Sequence, residues 1–62
     1  MPNVGEVVSL GNNIGRVCCI NALQGTACVQ FSNQCLVVAL DALQPADGDA
    51  PDCSAQCLDG CI

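Results

Sequence analysis

The chain has 62 residues, a net charge of -5 and seven cysteines, and Arg16 is its sole basic residue. That length allows one domain at most. Without Lys, His or a cluster of aromatics the chain lacks what phosphate and base recognition require, so no nucleic-acid partner is expected.

An anionic membrane surface is disfavoured for the same reason. The longest uninterrupted apolar run, Cys35 to Leu40, is far short of the roughly 20 residues of a spanning helix. Residues 1–6 carry neither a basic n-region nor an apolar core, so no secretory signal is read there and a cytoplasmic chain is expected. A chain this short buries only about 60% of its unfolded surface and needs help from oligomerisation, disulfides or a metal. Phe31 is the one aromatic residue, so the core must be aliphatic.

In chain order, Val4 to Leu10 reads as a first strand with imperfect alternation, suited to an edge or a bulge near Gly5. Gly11-Asn12-Asn13 is a turn. Ile14 to Ile20 is the second strand, and Gly15 before a β-branched run marks a close backbone approach. Cys18 and Cys19 are adjacent, so on a regular strand they point to opposite faces. Asn21 to Gly25 is a hairpin loop. Thr26 to Phe31 alternates cleanly: Ala27, Val29 and Phe31 share the core face, while Thr26, Cys28 and Gln30 share the other. Ser32-Asn33-Gln34 closes a second hairpin.

Cys35 to Leu40 is nearly all apolar, which predicts burial on both faces, inside the fold or in a subunit contact. Asp41-Ala42-Leu43 reads as one helical turn with Asp41 as its N-cap, stopped by Pro45. Such a turn bridges to a last short strand in small barrels, for which few residues are left. From Ala46 onward the chain is acidic and poor in apolar bulk. The expected division is therefore a β-domain over residues 1–46 and an acidic linker with a cysteine-rich tail over residues 47–62.

Three segments together, Gly15-x-Val17-x-x-Ile20, Val29-Gln30-Phe31 and Ala39-Leu40-Asp41-Ala42-Leu43-Gln44-Pro45-Ala46, resemble the SH3-like small β-barrels. These include Tudor- and KOW-type modules, the small accessory subunit of photosystem I and the plasmid-borne dihydrofolate reductases. The resemblance spans residues 4–46. It implies an all-β fold, a small SH3-like barrel of four to five short antiparallel strands with a Cys-rich C-terminal tail.

Function does not follow from fold. The aromatic cage of Tudor modules and the basic residues of KOW modules are missing. The plasmid reductases carry Val-Gln-Ile-Tyr where this chain has Cys35-Leu36-Val37-Val38. The resemblance implies only a binding or accessory module, often oligomeric, and no catalytic residue carries over.

The tail holds Cys53, Cys57 and Cys61 at i, i+4 and i+8, one face of a helix. Three readings stay open for them. Their thiolates suit zinc or copper(I), with a fourth ligand from Cys18, Cys28 or Cys35; the spacing is not that of zinc ribbons or ferredoxins. They can form disulfides that pin the tail to the sheet, Cys57 reaching for instance Cys28 or Cys35. Or they are packing thiols. Ser54, Asp59 and Gly60 weaken the helix.

Seven is odd, so a closed disulfide framework leaves one thiol over, and cytosolic cysteines are normally reduced. Catalysis has no His, Lys or Tyr to stand on, and Arg16, near Cys18, is read as a partner in a surface ion pair. The expectation is thus a non-enzymatic protein-interaction module that self-associates as a homo-oligomer. Its alternative is a small metal-binding or thiol-redox protein, and a third reading is a Cys-rich precursor peptide.

Overall fold

The computed structural model describes residues 3–55 and 57. The fold is all-β. Strands β1 (Val7–Leu10), β2 (Asn13–Asn21), β3 (Thr26–Gln30) and β4 (Cys35–Ala39) run as an antiparallel meander; a 3₁₀ turn (Leu40–Ala42) then leads to β5 (Gln44–Pro45). Strand β5 returns to pair antiparallel with β1, giving the order β4-β3-β2-β1-β5. The two ends of that order do not pair, so the sheet is open where a closed barrel is expected from the sequence.

The turns follow their residues. Leu10 pairs with Asn13 across Gly11 and Asn12, and Gly11 alone of the two takes positive φ, 62°, the pattern of a two-residue II′ hairpin. The β2–β3 loop closes on Gly25, at φ 69°, whose N–H donates to the Asn21 carbonyl over 2.9 Å. Strand β1 begins at Val7, not Val4, because Gly5 bends the chain at φ 90°.

The 3₁₀ turn starts one residue earlier than expected. Ala39 holds the cap position without a side-chain hydrogen bond, and Asp41 lies inside the turn. Pro45 is accommodated because β5 is an edge strand, where a missing N–H costs no ladder bond.

One face of the sheet carries the main core: Val8, Val17, Ala27, Val29, Phe31 and Leu43, with Leu10, Ile20, Val38 and Leu40 against them. The alternation read in β3 holds. Gly15 permits the closest approach in this core. A Cβ built there would lie 2.7 Å from Val29 Cγ1 and 2.8 Å from the Gln30 carbonyl oxygen, too near for any other residue without movement.

Strand β4 is not buried on both faces within the fold: it is an edge strand, and Leu36 and Val37 are 39% and 66% exposed, which leaves a subunit contact as the other setting expected for it. One expectation fails: Cys18 and Cys19 do not point to opposite faces. Val17 pairs with Val29 and Cys19 with Cys28, so Cys18 is an extra residue at a register shift. Such a bulge sets two residues against one. Its cause lies in the spacing of Val17 and Ile20. They are three residues apart, an odd number that a regular strand sends to opposite faces, yet both meet the core. The inserted residue restores Ile20 to the core and turns both cysteines to the opposite side.

Candidate functional site

That opposite side carries a second cluster made largely of sulfur. Cys18, Cys28 and Cys57 are buried there, with Cys19, Cys35 and Cys53 packed against them. Each strand contributes by its register: Cys18 and Cys19 from the bulge in β2, Cys28 from the outer face of β3, Cys35 from the first position of β4. The tail supplies the lid. Among the described residues two disulfides fasten it, Cys18–Cys53 with Cα atoms 5.7 Å apart and Cys35–Cys57 with Cα atoms 5.4 Å apart. Cys19 is disulfide-bonded as well, and Cys28 stands as a buried thiol.

Polar groups complete the fastening. Gln30 is 7% exposed, and its side chain is fully engaged. Its Nε2 donates to the Phe31 carbonyl at 2.7 Å and the Gln34 carbonyl at 3.2 Å, and its Oε1 accepts from Ser54 Oγ at 2.8 Å. Ser54 Oγ in turn accepts from the Cys57 N–H at 3.2 Å. With Ala55 and Cys57 in helical conformation, Ser54 is the N-cap of the tail's turn, not a residue that weakens its interior. This cap places Cys57, 0% exposed, over the sheet. Replacing Ser54 by Ala is expected to lower stability by about 1–3 kcal/mol, since it removes a cap and leaves the buried Gln30 carbonyl without its donor. Urea unfolding checks this, and a change within about 0.5 kcal/mol would show that the tail is held by its disulfides alone.

Arg16 serves the same fastening. Its guanidinium donates to the Gly5 carbonyl at 2.8 Å and to the Ala50 carbonyl in the acidic segment at 3.4 Å. Its Nε is buried without a hydrogen-bond partner. The surface ion pair expected for it is replaced by backbone carbonyls, of which that of Ala50 ties the acidic segment to β2.

Of the residues singled out as metal ligands, Cys53 and Cys57 stand in disulfides. Cys53 and Cys57 do not share a ligand: each sulfur is committed to a separate strand, β2 and β4 respectively. Cys61 lies outside the described residues. Among the described residues no group of three or more His, Cys, Asp or Glu is arranged to hold a metal while these disulfides stand. No described helix is long and apolar enough to cross a membrane. Sequence reasoning missed Gln30 and Ser54, because one amide and one hydroxyl 24 residues apart leave no spacing signal.

The second surface of note is the β4 edge. Leu36 borders a groove with Ile14 and Phe31 on one side; Val37 borders another with Ile20 and Leu23 on the other. Leu23 is 100% exposed. No protein-family model, curated protein or solved structure matches this chain.

Proposed function

We propose that this chain is a non-enzymatic interaction module on an SH3-like sheet, opened along one edge, and that it self-associates through β4. The SH3-like reading is supported by the order of its elements. A four-strand meander, a 3₁₀ turn and a short last strand returning to the first follow the motifs that the sequence shares with those barrels.

The observation that carries self-association is the β4 edge. Among the described residues strand β4 pairs with β3 on one side only, so there the backbone groups of its outer side are open to another strand. Natural edges are normally guarded by Lys, Pro or a bulge. Here residues 17–40 contain no charged residue and no proline, and the β3–β4 register is regular. The carboxylates that repel a second copy lie elsewhere, at Glu6 and from Asp41 onward. A second copy can add antiparallel about a two-fold axis, its Leu36 and Val37 meeting their own equivalents.

Light scattering across a wide concentration range tests this. The wild-type chain is expected to form a dimer that Val37→Lys dissociates without changing the circular dichroism of the monomer. A wild-type chain that stays monomeric throughout overturns self-association, and a Val37→Lys variant that still dimerises moves the contact away from β4.

A further inference from the structure

Cys18, Cys28 and Cys57 already form one buried group with Cys53 against it. Cys28 neighbours the β2 bulge that carries Cys18. Cys53 just precedes the Ser54 cap and Cys57 lies in the turn after it, and Cys53 lies within disulfide reach of Cys18. We propose that the reduced chain binds one zinc ion through Cys18, Cys28, Cys53 and Cys57.

The chemistry balances. A dithiol reductant closes to its own cyclic disulfide and delivers two electrons and two protons to each bridge, which turns Cys18, Cys53, Cys35 and Cys57 into thiols. Zinc then takes the thiolates of Cys18, Cys28, Cys53 and Cys57, whose four protons leave to solvent, and Cys35 stays a thiol. Tetrahedral zinc–thiolate bonds of about 2.3 Å place the sulfurs roughly 3.8 Å apart. Opening a disulfide to that separation needs side-chain rotation, not backbone movement, at Cα spacings such as the 5.7 Å of Cys18 and Cys53.

The ligand set excludes Cys35. It sits on β4, at the row of Gln30, with β3 between it and β2. Two inter-strand spacings, on the order of 10 Å, separate it from Cys18, too far for one metal to bridge comfortably. The four thiolates leave a zinc centre with two negative charges. Arg16, the chain's one cation, is placed by its register with Gln30 and its bond to Ala50 on the same side of β2. Zinc would thus replace the bridges in holding the tail on the sheet, so that the lid closes under oxidation or under metal and opens when both are withdrawn.

The test is cobalt titration of the full chain after anaerobic reduction with a phosphine, which is not a competing thiol. One equivalent of Co²⁺ is expected to give the visible bands of a tetrahedral tetrathiolate site, and one equivalent of Zn²⁺ to remove them. Cys28→Ser is expected to weaken binding at least about 100-fold, whereas Cys35→Ser and Cys19→Ser keep the spectrum and the stoichiometry. Amide exchange on the wild-type chain gives an independent readout: metal restores protection at residues 53–57 that reduction removes. A reduced wild-type chain with no tetrathiolate spectrum overturns the proposal. So does a spectrum that survives Cys28→Ser but is lost with Cys35→Ser.

Discussion

Reduction of Cys18–Cys53 and Cys35–Cys57 in metal-free solution is expected to remove most of the stability of the fold. The bridges close stretches with sequence separations of 35 and 22 residues. Loop-closure entropy assigns each, taken singly, about 3–4 kcal/mol. The stretches overlap between Cys35 and Cys53, so the sum is less than additive. A chain of this length has a total stability of about 3–9 kcal/mol, so either bridge is a large fraction of it.

The described tail offers little to replace the bridges. Asp52, Ser54 and Ala55 are exposed, and among the described residues the hydrogen bonds from the tail region to the sheet are the Ser54–Gln30 bond and the Arg16 contact, beside the packing of Cys57. Urea unfolding with and without a phosphine is the measurement. The midpoint is expected to fall by more than half on reduction, with amide protection lost first over residues 47–57. An unchanged midpoint would mean that the tail contributes nothing to the folded state and that the main core alone sustains the sheet.

The difference between what the residues disclosed and what the fold required follows from range. In β3, Ala27, Val29 and Phe31 alternate with Cys28 and Gln30, and a period of two needs no knowledge of the rest of the chain; the strand and its faces were legible. Gly15 was legible for the same reason, as a small residue beside a β-branched run.

Strand β4 was legible as a strand but not in its position, because a continuous apolar run looks the same whether it lies inside a sheet or along its edge, and only the strand order decides. The Cys18–Cys19 pair misled because the bulge arises from the match between two strands. Its one local trace is the odd spacing of Val17 and Ile20. The cysteine pairing was not legible, since seven cysteines admit many connectivities. Cys57 reaching Cys35 was one of the expected options, and Cys18 reaching Cys53 depends on the bulge.

Phe31→Ala is expected to cost about 3–5 kcal/mol, the range for deleting a buried aromatic ring. Phe31 is 5% exposed and meets the core where the β3–β4 loop begins. Its ring edge lies 3.0 Å from where a Cβ of Gly15 would stand, so the ring covers the Gly15 backbone together with Val29. No second aromatic residue exists to refill the space, and the surrounding Val and Leu side chains are anchored to strands. The loop itself should survive, because the Phe31 N–H donates to the Gln34 carbonyl at 2.8 Å independently of the side chain.

The main core and the sulfur cluster lie on opposite faces of one sheet, without shared members. Effects at such separate sites add. Oxidised Phe31→Ala should therefore stay folded with a lowered urea midpoint, while the reduced, metal-free variant should be unfolded without denaturant, because the two losses together exceed the whole stability of the chain. Circular dichroism of the variant in both redox states decides this. A cost below about 1 kcal/mol in the oxidised state would place the stability of this protein in its disulfides and leave the aliphatic core a minor contributor.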